Sequence, residues 1–108
     1  MALFAVIWSY TTDASVKEAA HADHLVFVKD AAARGVLQEA GAWADGAGAL
    51  LVFKADSEDD LRSLLAEDPY VTQGVVVDQS IYQWKPVIGV ASIRMVYEPE
   101  PNELIGVS

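Results

Sequence analysis

The chain has 108 residues and is 53% hydrophobic, which suffices for one domain with a buried core and excludes a disordered chain. Its 16 acidic residues against 7 basic ones give a formal charge of -9, which disfavours nucleic acid and anionic membrane surfaces as partners. The absence of cysteine excludes disulfides, thiolate metal sites and cysteine nucleophiles, and it fits a reducing compartment.

The apolar stretches of the sequence are too short for a membrane protein. The longest of them fall far short of the ~20 residues that a spanning helix requires. The apolar start MALFAVIWSY lacks the basic residues that open a signal peptide. We therefore expect a cytoplasmic protein without a membrane partner.

The first third of the sequence predicts a strand followed by a long helix. Residues 2–10 are rich in β-branched and aromatic side chains, as is typical of a strand. Asp13 or Ser15 then offers an N-cap for a helix that runs to about Arg34, and Gly35 is placed to end it.

The middle of the sequence predicts a hairpin and a second helix. Residues 36–43 and 49–55 are predicted strands joined by the turn sequence ADGAG. The sequence SEDD at 57–60 resembles a capping box and opens a helix that runs to about Glu67. Pro69 argues against helical structure beyond that point.

A fourth strand at 74–86 completes the order βαββαβ. This order is typical of a ferredoxin-like α+β fold, in which both helices cover one face of an antiparallel sheet. We assign residues 1–86 to this domain. Residues 87–108 form a C-terminal extension, in which SIRMVY at 92–97 partly alternates and is a candidate fifth strand.

The fourth strand carries large apolar side chains on both of its faces. In an ideal strand Val77 and Ile81 lie on one side, and Tyr82 and Trp84 lie on the other. Because both helices cover the same face of the sheet, the other face is left apolar and bare, which favours a homodimer or higher homo-oligomer. The alternative is that residues 87–108 cover this face in a monomer.

The stretch HADHLVFVKD at 21–30 places two histidines and two aspartates on the first helix. At ~100° per residue, His24 falls in the middle of the buried stripe and His21 lies toward its edge. Asp23 and Asp30 lie on a flank. An inward imidazole needs a hydrogen-bonding partner, and that partner, together with burial, sets its pKa.

Four interpretations of His24 remain open at this point. It is a core histidine without chemistry, or a metal ligand together with His21, although no Glu-x-x-His or cysteine set supports a metal. It could also serve a Ser9 nucleophile, although no nucleophile-elbow sequence surrounds Ser9. The fourth interpretation is a His-Asp proton-transfer pair. We predict no metal site and favour the His-Asp pair.

Asp68 is the candidate partner of His24. Asp23 is adjacent to His24 on the helix, and adjacent side chains diverge. Asp68 stands at the end of the second predicted helix, where Pro69 restricts it to an extended conformation. The helix dipole disfavours a carboxylate there, so we expect Asp68 to find a cationic or hydrogen-bonding partner. A plain Asp-Pro turn is the alternative.

Several segments of the sequence resemble the YCII-related family. They are HLVFVK at 24–29, ARGVLQEAGA at 33–42, ALLVFKADSEDDLRSLLAEDPYVTQGVV at 49–76 and WKP at 84–86. The resemblance implies a ferredoxin-like fold that forms dimers related to the dimeric α+β barrels, with an active site at His24 and Asp68. Members with assigned chemistry resemble muconolactone isomerases and chloromuconolactone dehalogenases, which act on small lactones without a cofactor.

Two features depart from the family pattern. The sequence AGAW at 40–43 stands where Ala-Gly-Pro is common, so the rim of the pocket differs. The family core ends near Pro86, and residues 87–108 follow it. This extension is a candidate for an extra strand, an oligomer contact or a cover of the pocket.

The resulting hypothesis is a cofactor-independent enzyme that acts on a small oxygenated cyclic or lactone-type substrate. His24, oriented by Asp68, would act as general acid or base in an isomerisation, an elimination or a dehalogenase-like rearrangement. The candidate substrate-binding residues are Tyr10, Ser9, His21, Trp43 and Tyr70. The alternatives are a non-catalytic small-molecule-binding or accessory protein and a cofactor-free oxygenase of the dimeric α+β barrel kind.

Overall fold

The computed structural model describes residues 1–89, which form a four-stranded antiparallel sheet and three helices. In chain order the elements are β1 (Ala2–Tyr10), α1 (Ala14–Ala33), β2 (Leu37–Ala42), β3 (Gly48–Ala55), α2 (Glu58–Leu65), α3 (Pro69–Thr72) and β4 (Val76–Trp84). The strand order β2-β3-β1-β4 confirms the predicted ferredoxin-like α+β fold. None of the helices in this part of the chain is long and apolar enough to cross a membrane. The candidate strand at 92–97 lies outside the described residues.

Helix α1 begins and ends where the local sequence predicts. The Asp13 carboxylate caps it by accepting hydrogen bonds from the Ser15 backbone N–H at 3.0 Å and from the Ser15 hydroxyl at 2.6 Å. Gly35 follows the last turn with φ +75°, a left-handed conformation that glycine adopts without steric cost. The 20-residue helix therefore carries both histidines on one rigid element.

The segment after α2 differs from the prediction. Ser57 caps α2 as expected, accepting from the Asp60 N–H at 3.1 Å, but the helix ends at Leu65. Pro69 does not end helical structure; it occupies the first turn of α3, where its missing N–H costs no hydrogen bond. The expectation of no helix beyond Pro69 was therefore wrong.

The main core lies between the sheet and the helices. The side chains that β1 and β3 direct toward α1 and α2 are Phe4, Val6, Trp8, Ala49, Leu51 and Phe53. Helix α1 packs on them through Ala20 and Ala31, which are fully buried. Small side chains at these contacts let the helix backbone approach the sheet closely.

The alternation predicted for β4 fails at its first residues. Ser9 pairs with Asp78 but Tyr10 pairs with Val76, so the register shifts between these two residues of β1. This bulge lets Val75 and Val76 both pack against the core, whereas strict alternation places them on opposite faces. Val77, the extra residue, is 64% exposed.

The face of the sheet away from the helices is apolar. Successive side chains of a strand point to opposite faces, so Ile7 of the central strand lies opposite to the core side chains. Leu50 is the cross-strand neighbour of Ile7, and Tyr82 and Trp84 project from β4 on the same side. All four side chains are exposed, and we call them the outer sheet face.

Candidate active site

His24 and Asp68 form a hydrogen-bonded pair. Helix α1 brings His24 against the turn before α3, where its Nδ1 lies 2.8 Å from Asp68 Oδ1 and 3.1 Å from Oδ2. Asp68 is fully buried, and the His24 side chain is 11% exposed. Because a carboxylate only accepts hydrogen bonds, Nδ1 donates the hydrogen, and in a neutral imidazole Nε2 then carries the lone pair.

Asp68 lies between two helices: its N–H donates to the Leu65 carbonyl at the end of α2 at 3.1 Å, and its side chain caps the start of α3. Its backbone is extended, with φ -70° and ψ 127°, as predicted for a residue before proline. Its Oδ1 also accepts a hydrogen bond from the Tyr70 N–H at 2.9 Å, so Asp68 is the N-cap of α3. The prediction placed this carboxylate at the unfavourable end of a helix dipole; it lies at the favourable end of the next helix.

The Tyr70 ring packs against the flat face of the His24 imidazole. The two rings are stacked, with centroids 3.7 Å apart and planes within 4° of each other. The Tyr70 hydroxyl lies 2.9 Å from Nδ1 of His21, one helical turn before His24. The stack fixes the plane of the imidazole, and the hydrogen bond from Nδ1 to Asp68 fixes how the ring is turned within that plane. Together they set the direction of Nε2.

A cavity of about 270 Å³ opens beside this pair, between α1, α3 and the sheet. It is lined by Trp8, Tyr10, Lys17, His21, His24, Leu25, Val28, Ala40, Gly41, Ala42, Ala49, Leu51 and Tyr70. His24 is in this wall, and Asp68 lies behind it. Among residues 1–89, Nε2 of His24 has no hydrogen-bond partner, so it is available to a bound molecule.

The two tyrosines of the cavity remain protonated at neutral pH. Burial raises the pKa of Tyr10 to about 12, and the nearby Tyr70 and Asp68 add to the effect. Burial and Asp68 also raise the pKa of Tyr70. The Tyr10 and Tyr70 rings meet edge to face, with centroids 5.5 Å apart. The cavity therefore offers neutral phenols as hydrogen-bond donors.

The structure brings together some of the predicted site residues and not others. Tyr10, His21 and Tyr70 line the cavity with His24. Ser9 does not, because it follows Trp8 on β1 and points to the opposite face of the sheet, where it is exposed. Trp43 is 43% exposed just after β2 and lines a groove beside Leu50 on that opposite face. Neither residue is placed to assist His24 within this cavity.

Two lining residues with polar side-chain groups, Trp8 and Lys17, were missed by the sequence prediction. Trp8 is fully buried, and its indole N–H donates to Gln79 Oε1 at 2.8 Å. Lys17 extends the helix face of His21 and His24, since it lies four and seven residues before them. That spacing is visible in the sequence and could have identified Lys17.

Both histidines of α1 use Nδ1 in contacts within the protein. Their Nδ1 atoms are engaged by Tyr70 and Asp68 respectively. Within residues 1–89, no group of three or more His, Cys, Asp or Glu side chains is placed to hold a metal ion. The H-x-x-H spacing is therefore used for contacts with α3 and its N-cap.

Comparison with known proteins adds a family and a fold. A family model described as the YCII-related domain matches residues 3–85. No curated protein matches the sequence. Among solved structures, 5-chloro-2-hydroxyhydroquinone dehydrochlorinase (TftG) from Burkholderia phenoliruptrix AC1100, in complex with 2,5-dihydroxybenzoquinone, is similar. It is 22% identical, has a TM-score of 0.67, and the match covers 77% of this chain and 93% of the other; this likeness shows a shared fold.

Proposed function

The chain belongs to the YCII-related domain family, and from this we propose that it is a cofactor-independent acid–base enzyme acting on a small oxygenated ring. One observation carries the proposal. A fully buried Asp68 binds Nδ1 of His24 and leaves Nε2 available at a cavity. Burying a carboxylate lowers the stability of the fold unless the carboxylate is hydrogen-bonded. A buried ionisable group beside a cavity is typical of functional sites.

In the proposed reaction, Nε2 of His24 accepts a proton from a ring hydroxyl or from a carbon next to a carbonyl. Asp68 keeps the imidazole in the required tautomer and stabilises the imidazolium that forms. The protonated Tyr10 donates a hydrogen bond to the oxygen on which negative charge develops. His24 then returns the proton to a carbon of the ring, which isomerises the ring. Where that carbon bears a halogen, loss of a second proton from a ring hydroxyl expels the halide with its bonding electrons and leaves a quinone-type ring.

The size of the cavity and the structural neighbour favour a six-membered ring and elimination. A cavity of about 270 Å³ holds one small ring. The similar structure belongs to a dehydrochlorinase and holds 2,5-dihydroxybenzoquinone. We therefore propose a halogenated, hydroxylated ring as the substrate class and net loss of hydrogen halide as the reaction.

We further propose that the protein is a homodimer that associates through its outer sheet face. Ile7, Leu50, Tyr82 and Trp84 are exposed large apolar side chains on the same face of three neighbouring strands. Such a surface is unfavourable in water and is well suited to packing against a second copy. A cytoplasmic location remains a prediction from the sequence.

Release of chloride from chlorinated hydroxyhydroquinones tests the catalytic proposal. We expect His24→Gln to lower turnover by roughly 10²–10⁴-fold, because it removes the proton acceptor. Asp68→Asn should lower turnover by at least ~10-fold, since its amide can donate to Nδ1 and leave Nε2 protonated. Asp23→Asn is the matched control on the exposed flank of α1 and should retain wild-type turnover.

Circular dichroism must show that each variant is folded. Wild-type turnover in folded His24→Gln would contradict the role of His24. Ring ligands that bind without any turnover in the wild type would favour the non-catalytic binding protein.

A further inference from the structure

Lys17 places a positive charge in a wall that is otherwise apolar, aromatic or imidazole. Among the described residues that line the cavity, it is the one lysine or arginine. It is partly buried on the face of α1 that carries His21 and His24. A lysine in such a wall needs a reason, because lysine side chains are mostly exposed in proteins.

The charge of Lys17 has no carboxylate partner within residues 1–89. The two arginines of this part of the chain each pair with an acid one helical turn earlier, Arg34 with Asp30 at 3.0 Å and Arg62 with Glu58 at 2.8 Å. Asp13 holds the corresponding position before Lys17, but its carboxylate accepts both hydrogen bonds from Ser15. Oδ1 accepts both bonds, which lower the pKa of Asp13, and within residues 1–89 its carboxylate forms no ion pair with Lys17.

Tyr10 positions the ammonium without neutralising it. The Lys17 Nζ lies 4.9 Å from the centroid of the Tyr10 ring, which is a cation–π distance. The phenol itself is uncharged at neutral pH. Lys17 also lies at the first turn of α1, where the helix dipole disfavours a cation. Lys17 therefore places its charge at the cavity although a cation at this position lowers the stability of helix α1, so helix stability does not explain the lysine.

We infer that Lys17 binds an oxyanion of the ligand, and that the cavity therefore selects anionic rings over neutral ones. The oxyanion is a ring carboxylate or an ionised ring hydroxyl. Lys17 and His24 are separated by seven residues, or ~10 Å along the helix axis. One substituted six-membered ring fits between them, with the oxyanion at Lys17 and the reacting edge at His24. The placement of the reacting edge at His24 rests on the proposed function, whereas the selectivity for anionic rings does not.

Calorimetric titration of the full chain with two matched ligand pairs tests this inference. One pair is 2,4-dihydroxybenzoate and its neutral amide; the other is 4-nitrocatechol, titrated where its hydroxyl is ionised, and neutral 4-methylcatechol. We expect each anion to bind more tightly than its neutral partner. Lys17→Met should weaken the anions by about tenfold or more and leave the neutral ligands within about twofold. Lys17→Arg should restore the preference for anions.

Lys29→Met is the control, because Lys29 is exposed on the same helix and does not line the cavity. It should behave as the wild type. The stronger of the two anion preferences identifies the source of the oxyanion, carboxylate or ring oxygen. The inference is overturned if neither anion binds, if Lys17→Met weakens charged and neutral ligands equally, or if Lys29→Met has the same effect as Lys17→Met.

The four probes carry no halide, so their binding is independent of turnover. Selective binding of anions by a protein that releases no chloride would overturn the proposed function and support the role of Lys17. Turnover that depends on His24, without selective binding of anions, would support the proposed function and overturn the role of Lys17.

Discussion

The two faces of the sheet carry different side chains, a hydrogen-bonded polar network on the helix side and exposed apolar side chains on the outer side. On the helix side, polar side chains are joined in a network that runs from the buried Asp68 through His24 and Tyr70 to His21, which is exposed. In the part of the chain that the structure describes, no buried side-chain nitrogen or oxygen lacks a hydrogen-bond partner. The outer sheet face instead exposes large apolar side chains, with Tyr82 at 59%.

The proposed enzyme and the proposed homodimer would give the two faces of one sheet separate tasks. A buried carboxylate lowers stability unless it is fully hydrogen-bonded, so the network on the helix side is costly and specific. The outer sheet face lowers the solubility of a monomer, and it stabilises the protein only when a partner covers it. Chemistry on one face and association on the other should therefore be separable by substitution.

Ile7→Glu should have the largest effect on this division. Ile7 lies on the central strand and is 38% exposed, so the substitution adds a charge to the outer sheet face without opening the core. In a homodimer the carboxylates of both copies would be buried, at several kcal/mol for each ion. We expect self-association to weaken on the order of a thousandfold, measured by sedimentation velocity at micromolar concentration.

Val26→Glu is the matched control for this experiment. Val26 is 69% exposed on α1, so the same change of charge is made on the helix side of the sheet. The control should keep the association state of the wild type. Equal association of both variants, or a wild-type monomer, would contradict the outer sheet face as a dimer interface.

On the helix side, substitutions of Tyr70 separate its ring from its hydroxyl. Tyr70→Phe keeps the stack on His24 and loses the bond to His21, so the free energy of unfolding should fall by about 1 kcal/mol. Tyr70→Leu also loses the ring and should cost about 2–3 kcal/mol. Urea unfolding measures both losses.

The ring protons of His24 give a second measurement. In the wild type the stacked Tyr70 ring should shift their NMR signals upfield, and this shift should persist in Tyr70→Phe and disappear in Tyr70→Leu. Loss of the shift in Tyr70→Phe would show that the hydroxyl, and not the stack, holds the imidazole.

The contact between His24 and Asp68 could be predicted because local rules determine both ends of it. The helical projection turns His24 inward, and the proline after Asp68 fixes an extended backbone. The identity of α3 was missed because Pro69 was interpreted only as a helix breaker. Proline is also common in the first turn of a helix, and an Asp-Pro pair is a start signal.

The positions of Trp43 and Val76 could not be predicted by such rules. Strict alternation fails where β1 and β4 shift register, and nothing local in the sequence marks that bulge. Trp43 follows β2 at a turn where Gly48 lies so close to Trp8 that a Cβ on it would collide with the Trp8 carbonyl oxygen. Pairing between distant strands decides both features, and it is not encoded within a short window of sequence.

The smallest expected effect is a dependence of stability on alkaline pH, which arises from Tyr10. Its pKa is about 12 in the folded protein, against 10.0 for the free side chain, because the ionised phenol is disfavoured by burial, Tyr70 and Asp68. Below pH 10 the phenol is protonated in both states and its contribution is fully present. Between pH 10 and 12 the unfolded chain ionises first, so the free energy of unfolding falls. Tyr10→Phe should flatten this fall in urea unfolding at successive pH values, while Tyr82→Phe, an exposed tyrosine, should change it less. Parallel curves for wild type and Tyr10→Phe would show that the Tyr10 phenol ionises equally well in the cavity and in water.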